Sequence, residues 1–110
     1  MFEQGDIVLV PFPFADLSTT KQRPALVISR SSYNTKTQDI VTCGVTSNME
    51  NSDYSVLIDN IDLAEGKIPL KSRVKVGKIF TLKQSMVIKK IAKLKTASFQ
   101  HVKQELQNLV

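Results

Sequence analysis

The chain carries its apolar residues in short blocks separated by turn-forming residues. This spacing is typical of a mainly β protein that folds as a small barrel or sandwich. β-branched residues dominate the blocks, as expected for side chains that pack on a pleated surface. The predicted strands are residues 7–10, 25–28, 40–45, 54–58, 74–82 and 86–94, the last of which also fits one face of a helix.

Proline and glycine mark two irregularities in these blocks. Pro11 and Pro13 are predicted to end the first strand, because proline has no N–H group to donate to a ladder. In block 74–82 the alternation of basic and apolar residues slips near Gly77, which predicts a β-bulge there.

The C-terminal segment changes to a helical period. Thr96 or Ser98 is placed to serve as the N-cap of an amphipathic helix. Its apolar face is formed by residues at spacings of three and four, namely Phe99, Val102, Leu106 and Leu109. We therefore expect one domain over residues 1–110, a small β-barrel of five to six strands with a C-terminal α-helix.

Composition and the N-terminal residues indicate in which cellular compartment the protein is expected. No run approaches the ~20 apolar residues that a membrane helix needs. The N-terminus lacks a basic region and carries Glu3 and Asp6, so it makes a poor secretory signal. Cys43 is the only cysteine, which excludes an intramolecular disulfide and fits a reducing compartment. We expect a cytoplasmic protein.

Charge is divided unevenly along the chain. Residues 1–65 hold nine acids and four bases, a local charge of −5, whereas residues 66–110 hold eleven bases and one acid, a local charge of +10. No carboxylate side chain occurs between Glu65 and Glu105. An uncompensated basic stretch of this length favours a polyanionic partner, nucleic acid first.

The motifs that the sequence lacks restrict the chemistry. It has no HExxH, CxxC or paired-carboxylate motif, and its single histidine is His101 in the terminal helix. We therefore expect no metal and no cofactor. Phosphoryl chemistry would have to use arginine or lysine, hydroxyls and backbone amides. RNA permits this, because its own 2′-hydroxyl can serve as nucleophile.

Two segments offer such groups. In residues 21–29 a loop ends at Arg23, and Pro24 stiffens the backbone at the entrance to a strand. In residues 40–48 a buried strand ends in Thr46, Ser47 and Asn48, whose short side chains are precise hydrogen-bond donors.

These segments belong to a wider resemblance. Residues 5–14, which read GDIVLVPFPF, and residues 21–29, which read KQRPALVIS, resemble successive signatures of the MazF/PemK toxin family. The similarity continues in the family's order through residues 45–47, 70–74, 79–82 and 91–94, and so spans nearly the whole chain.

The resemblance implies an SH3-like barrel that usually forms a homodimer and is the toxin of a type II toxin–antitoxin system. It implies sequence-specific cleavage of single-stranded RNA, including mRNA, to 2′,3′-cyclic phosphate and 5′-hydroxyl ends. It also implies a cognate antitoxin whose acidic segment covers the RNA groove, and DNA binding by the complex of the two proteins.

By the same resemblance, the family's catalytic arginine falls on Arg23, its catalytic hydroxyl on Thr46, and its gating loop on residues 13–22. Arginine stays protonated in proteins, so we expect Arg23 to stabilise charge and to donate a proton rather than to accept one. Thr46 would hold a non-bridging phosphate oxygen. The general base is left unassigned.

Further RNA contacts are expected from residues near these segments and in the basic half. Four basic residues, Lys71, Arg73, Lys75 and Lys78, lie in or just before the block 74–82. Strand alternation allows only odd-numbered or only even-numbered residues to face a groove, and we favour the first three over Lys78. Phe80 stands where many relatives carry arginine, which removes an ionic contact or replaces it by stacking. The expected RNA-binding residues are Phe14, Lys21, Ser47, Asn48, Lys71, Arg73 and Lys75.

Two other functions remain open. One is a non-catalytic toxin of the same barrel fold that poisons another target, such as a DNA gyrase. The other is an SH3-like module that binds nucleic acid or peptide without chemistry. Neither of these two functions needs Arg23 or Thr46.

Overall fold

The computed structural model describes residues 1–13, 20–50 and 53–110. Within these ranges the chain forms seven strands, two α-helices and two short 3₁₀ turns, Asn60–Asp62 and Gln84–Met86. The strands are β1 (Asp6–Pro13), β2 (Thr20–Val27), β3 (Asp39–Thr46), β4 (Ser55–Ile58), β5 (Leu63–Gly66), β6 (Ser72–Lys83) and β7 (Lys89–Leu94), and the helices are α1 (Ser31–Thr37) and α2 (Thr96–Leu109).

All seven strands belong to one curled antiparallel sheet in the order β4-β6-β3-β2-β1-β7-β5. The predicted mainly β class with a C-terminal helix is confirmed. The strand number is larger than the five to six expected, because the short segment Leu63–Gly66 pairs with β7. At Gly66, where φ is +74°, an added Cβ would lie 2.1 Å from the carbonyl oxygen of Ile91. Only glycine lets the two strands approach so closely.

Apolar side chains are buried on both faces of the sheet. One cluster contains Ile7, Leu26 and Cys43 and includes Phe99 and Val102 of α2. The other contains Val8, Val10 and Ala25, against which Phe80 packs. Because successive residues of a strand point to opposite faces, burial of both faces explains why residues 7–10 of β1 and 25–27 of β2 are continuously apolar.

The prediction that the first strand ends at its prolines is wrong for Pro11, although β1 does end at Pro13. Both lie within β1, where they pair with Gln22 and Thr20 of β2. The backbone of Leu9 faces β7, since its carbonyl accepts from the N–H of Ile88. By alternation, the nitrogens of both prolines face the same side, beyond the point where β7 pairing stops at Leu9. No ladder hydrogen bond is lost there, so the strand continues through Pro11 to Pro13.

The bulge predicted near Gly77 is confirmed. Cys43 pairs with Ile79 and the next residue, Gly44, pairs with Lys75, so one step on β3 spans four on β6. Residues 76–78 are therefore three extra residues on β6. Block 86–94 is a strand only over β7, because its first residues complete a 3₁₀ turn.

The apolar face of α2 is confirmed, with Phe99 and Val102 buried and Leu106 packed against them. Its predicted N-cap is wrong: the cap is Lys95, without a side-chain hydrogen bond. The Ser98 hydroxyl instead donates to Oδ1 of Asp62 at 3.0 Å and ties the helix to a 3₁₀ turn.

Helix α1 was not predicted, because its seven residues carry no apolar stripe. It is held by Asn34, which is fully buried. The Asn34 side chain accepts from the Ser29 hydroxyl and donates to the carbonyl of Phe2. Gln84 donates to the Asn34 carbonyl. A buried polar group that is satisfied in this way stabilises a segment that hydrophobic patterning does not reveal.

Candidate functional site

Arg23 and Thr46 are brought together where β2 and β3 separate. The two strands pair from Val27–Thr42 to Ala25–Gly44. Arg23 and Thr46 each lie two residues beyond that last pair. Directly opposed residues share a face, and so do alternate residues of one strand, so both side chains project from the same side of the sheet.

On that side they border an open cavity of about 500 Å³. Thr46 is half-buried and Arg23 is exposed. The cavity is lined by Arg23, Gly44, Val45, Thr46, Asn48, Glu50, Lys75, Lys78, Ile79 and Phe80.

The third side of the cavity is β6. Lys75 lies opposite Gly44, and Phe80 lies opposite Thr42, so both share the face of Thr46. The bulge of residues 76–78 lies between them and brings the Cβ of Lys78 to within 3.7 Å of the Cβ position that Gly44 lacks. Lys78 therefore lies against the backbone of Gly44 and lines the same cavity as Lys75.

The segment that leaves β3 folds back through two side-chain hydrogen bonds. The Thr46 Oγ1 accepts from the N–H of Asn48 at 3.1 Å. The Asn48 Oδ1 accepts in turn from the N–H of Glu50 at 3.0 Å. Such bonds mimic backbone turns and restrict the residues that they span. They place Thr46, Asn48 and Glu50 along one wall of the cavity.

A smaller cavity of about 170 Å³ lies on the other side of the same strand ends. Arg23 and Thr46 border it as well, and Ser47 lines it. The rest of its wall is largely apolar, from Val45, Ile68, Pro69, Leu70 and Ile91. Arg23 and Thr46 thus stand between a basic cavity and an apolar one.

The structure does not bring all the expected RNA-binding residues to this place. Lys21 and Lys71 are exposed and line neither cavity. Arg73 also lines neither, and its Nη1 donates to Oγ of Ser55 at 3.1 Å. Phe14 and most of the expected gating loop lie outside the described residues. Asn48 and Lys75 line the larger cavity, and Ser47 the smaller.

Sequence reasoning missed other lining residues. Alternation favours Lys71 and Arg73 over Lys78, yet Lys78 lines the cavity because the bulge shifts the alternation. The slip of the alternating pattern at Gly77 is the sequence signal that favours Lys78. Glu50 was missed because an acid in a polar loop carries no recognisable pattern.

The basic half of the chain is partly neutralised within the molecule. Asp6 is buried and forms ion pairs with Lys90 at 3.3 Å and Lys93 at 3.6 Å. Glu65 pairs with Lys90 and Glu3 with Lys93. Burial by itself would lower the pKa of Lys90, but attraction and hydrogen bonding to Asp6 and Glu65 raise it above the ordinary value. Around Lys90 and Lys93, the gap in carboxylates along the sequence is therefore filled in space by acids from other segments.

The cavity keeps an excess of positive charge. Its lining side chains include three cations, Arg23, Lys75 and Lys78, and one anion, Glu50, a difference of +2. Cys43 takes no part, because it is fully buried and burial raises the pKa of its thiol to about 11. A thiolate is then scarce at neutral pH. Within the described ranges no group of three His, Cys, Asp or Glu residues is arranged to hold a metal ion.

Comparison with known proteins identifies the family of the chain and solved structures that share its fold. The sequence profile described as PemK-like, MazF-like toxin of type II toxin-antitoxin system matches residues 3–110. No curated protein sequence matches. In the described part of the chain, every helix is too short or too polar to cross a membrane.

Several solved structures share the fold. The MazE–MazF complex (form III) from Deinococcus radiodurans superposes with a TM-score of 0.79 at 22% identity, covering 98% of this chain and 94% of that one. An endoribonuclease in complex with its cognate antitoxin from a mycobacterial species has a TM-score of 0.76 at 18% identity, with coverage of 98% and 93%. The Mycobacterium tuberculosis toxin MazF-mt6 has a TM-score of 0.75 at 14% identity, with coverage of 94% and 93%. At these identities the likeness establishes the fold.

Proposed function

The chain belongs to the PemK-like, MazF-like toxin family of type II toxin–antitoxin systems, and from this premise we propose that it is an endoribonuclease. It cuts single-stranded RNA at short sequences without a metal ion and leaves 2′,3′-cyclic phosphate and 5′-hydroxyl ends. One observation carries the proposal: Arg23 and Thr46, from the ends of neighbouring strands, line one cavity together with Lys75 and Lys78. Cations and a hydroxyl donor therefore converge at a place open to an RNA backbone.

In this reaction the 2′-hydroxyl oxygen attacks the adjacent phosphorus, and negative charge grows on the phosphate oxygens. The Arg23 guanidinium presents a fork of donors to these oxygens and stabilises the growing charge. Its backbone is held in place, since Arg23 pairs with Val10 of β1 and precedes Pro24. A donor that is positioned before the reaction needs little rearrangement during it. Arg23 also gives a proton to the departing 5′-oxygen.

Thr46 holds a non-bridging phosphate oxygen. Its Oγ1 accepts a hydrogen bond from the backbone of Asn48, and the hydroxyl still carries its own proton. That proton is donated to the phosphate. Thr46 thus supplies one directed hydrogen bond beside the charge of Arg23.

The remaining contacts hold RNA on either side of the cut. Ser47, Asn48, Lys75 and Lys78 border the two cavities, and the half-buried ring of Phe80 offers a surface for stacking. Lys21, Lys71, Arg73 and Phe14 remain predicted contacts for more distant nucleotides.

The test is incubation of the purified protein with a long single-stranded RNA in EDTA, followed by mapping of the ends. Because the proposed groups are all side chains of the protein, we expect undiminished cleavage, with 5′-hydroxyl ends at a recurring short sequence. Strict dependence on Mg²⁺ or Mn²⁺ would rule out this mechanism. Inhibition of a DNA gyrase without any RNA cleavage would favour a non-catalytic toxin.

Salt should weaken RNA binding. If Arg23, Lys75 and Lys78 each contact one phosphate, the logarithm of the binding constant should fall against the logarithm of salt concentration with a slope of about −2 for a single strand. Fluorescence anisotropy of a labelled, uncleavable 2′-deoxy oligonucleotide measures this slope. An affinity that does not change with salt would remove the electrostatic part of the proposal.

We further propose that residues 1–110 act as one toxin domain that dimerises in the cytoplasm and is inhibited by an acidic antitoxin. The excess positive charge of the cavity supports an acidic inhibitor, which would compete with RNA for the same cations. Sedimentation at micromolar concentration should give a dimer for the protein alone and a larger complex with its antitoxin. A monomer under both conditions would contradict the assembly.

A further inference from the structure

Attack by a 2′-hydroxyl requires a group that removes its proton, and most of the cavity cannot provide one. Arginine and lysine side chains are donors, and a threonine hydroxyl is a weak base. Among the described residues that line the cavity, only Glu50 carries a carboxylate. We propose that Glu50 is the general base of the RNA cleavage reaction, an inference that rests on the proposed function.

The position of Glu50 is tied to that of Thr46. The hydrogen bonds from Asn48 N–H to Thr46 Oγ1 and from Glu50 N–H to Asn48 Oδ1 are 3.1 Å and 3.0 Å long. They link the backbone of Glu50 in two steps to the end of β3. Glu50 and the Thr46 hydroxyl that holds the phosphate are therefore fixed to the same hydrogen-bonded segment at the end of β3. A general base has to lie within hydrogen-bonding reach of the proton that it removes, and such a segment limits its movement.

The charge of Glu50 is otherwise unfavourable in this place. A carboxylate beside the path of an RNA backbone repels phosphates and opposes the attraction of Arg23, Lys75 and Lys78. A cavity that served only to bind RNA would be better without it. A catalytic step that needs a base gives the carboxylate a role that offsets this repulsion.

The step balances within the cavity. The Glu50 carboxylate takes the proton of the 2′-hydroxyl, the O2′–P bond forms, and the P–O5′ bond breaks. The departing 5′-oxygen takes a proton from Arg23, and the proton held by Glu50 returns through solvent to Arg23. The products are a 2′,3′-cyclic phosphate and a 5′-hydroxyl, and no other reactant is consumed.

The decisive variant is Glu50→Gln, which keeps the size of the side chain and removes its basicity. Asp53→Asn is the matched control, because it removes an exposed carboxylate three residues away that does not line the cavity. Single-turnover cleavage is measured from acidic to neutral pH for the wild-type protein and both variants. For the same three proteins we would also measure the affinity for the 2′-deoxy oligonucleotide and the midpoint of thermal unfolding. Since Glu50 is exposed, Glu50→Gln should fold normally.

We expect Glu50→Gln to cut about 10²–10⁴-fold more slowly, the usual contribution of a general base. The variant should lose the rise in rate that the wild-type protein shows as pH increases through ionisation of the base. RNA affinity should stay the same or increase, because a repelling charge is gone. Added formate should restore part of the activity of Glu50→Ala, since a small carboxylate can replace the missing base.

Each contrary result has a separate meaning. If the wild-type protein does not cut RNA, the proposed function and this inference both fail. If the wild-type protein and Asp53→Asn cut RNA and Glu50→Gln cuts equally fast with the same pH profile, only the inference fails. A slow Glu50→Gln with an unchanged pH profile, together with no effect of formate on Glu50→Ala, would make Glu50 a positioning residue and would also overturn the proposal.

Discussion

Replacement of Arg23 by alanine is expected to slow single-turnover RNA cleavage by about 10²–10⁴-fold, because loss of one neutral preorganised donor in a comparable site costs about 10²–10³-fold and a charged donor contributes more. The effect should be large because the guanidinium contributes most when charge grows on the phosphate in the transition state. RNA affinity should fall far less, since Lys75 and Lys78 still line the cavity. The fold should persist, because Arg23 is exposed and belongs to neither core cluster.

Two further variants sharpen this experiment. Arg23→Lys keeps the charge but loses the fork of donors, so its rate should lie between those of the wild-type protein and Arg23→Ala. Arg30→Ala makes the same change at an exposed arginine before α1, away from both cavities, and should cut normally. If Arg23→Ala bound RNA more weakly but cut at the wild-type rate under saturation, Arg23 would be an ordinary phosphate contact and the catalytic groups would lie elsewhere.

Thr46→Val should slow cleavage by roughly 10–10³-fold, less than Arg23→Ala because it removes a neutral donor rather than a charged one. Valine keeps the shape of the side chain and removes the hydroxyl. It also removes the hydrogen bond that Thr46 Oγ1 accepts from Asn48, so part of the loss would come from the loosened wall of the cavity. Single-turnover rates beside equilibrium binding constants separate the loss of catalysis from a loss of affinity.

Thr46→Ser is the control that distinguishes these contributions, because serine retains both the donated and the accepted hydrogen bond. Its rate should be close to that of the wild-type protein. If Thr46→Ser were slow while Thr46→Val cut at the wild-type rate, the methyl group rather than the hydroxyl would matter, and Thr46 would be a packing residue of the cavity wall.

The strands show which elements can be predicted from the local pattern of apolar residues and which cannot. Blocks 25–28 and 40–45 coincide with buried parts of β2 and β3, because a strand buried on both faces must be apolar along its length. The segment Leu63–Gly66 contains an alanine, a glutamate and a glycine, and it carries no such signal. It is a strand because β7 offers it hydrogen-bonding partners, and that partnership is a property of the tertiary structure.

The functional site divides in a similar way. Sequence motifs and family resemblance both point to Arg23 and Thr46, and their common face follows from the Ala25–Gly44 pair. Whether Lys75 or Arg73 faces the cavity could not be decided by alternation alone. Arg73 bonds to Ser55 on the neighbouring strand, and a bulge of three residues brings Lys78 beside Lys75.

The distribution of charged residues along the sequence also differs from their distribution in the folded protein. The basic stretch that favoured a polyanionic partner contains Lys90 and Lys93, whose partners Asp6 and Glu3 lie more than eighty residues earlier. A chain that folds its first strand against its last cancels charges that are far apart in sequence. The cavity itself is lined by the cations Arg23, Lys75 and Lys78 and by one anion, Glu50.

The sequence by itself determined the mainly β class, the terminal helix and its apolar face, and the membership of the toxin family. Each depends on residue types that recur at local spacings or in a family's order, and such patterns are visible without coordinates. Only the tertiary structure decided which lysines face the cavity, why Pro11 and Pro13 lie within a strand, and that Glu50 shares a wall with Thr46. These depend on strand register, on where pairing stops and on a bulge, all of which are set by contacts between distant segments rather than by the residues alone.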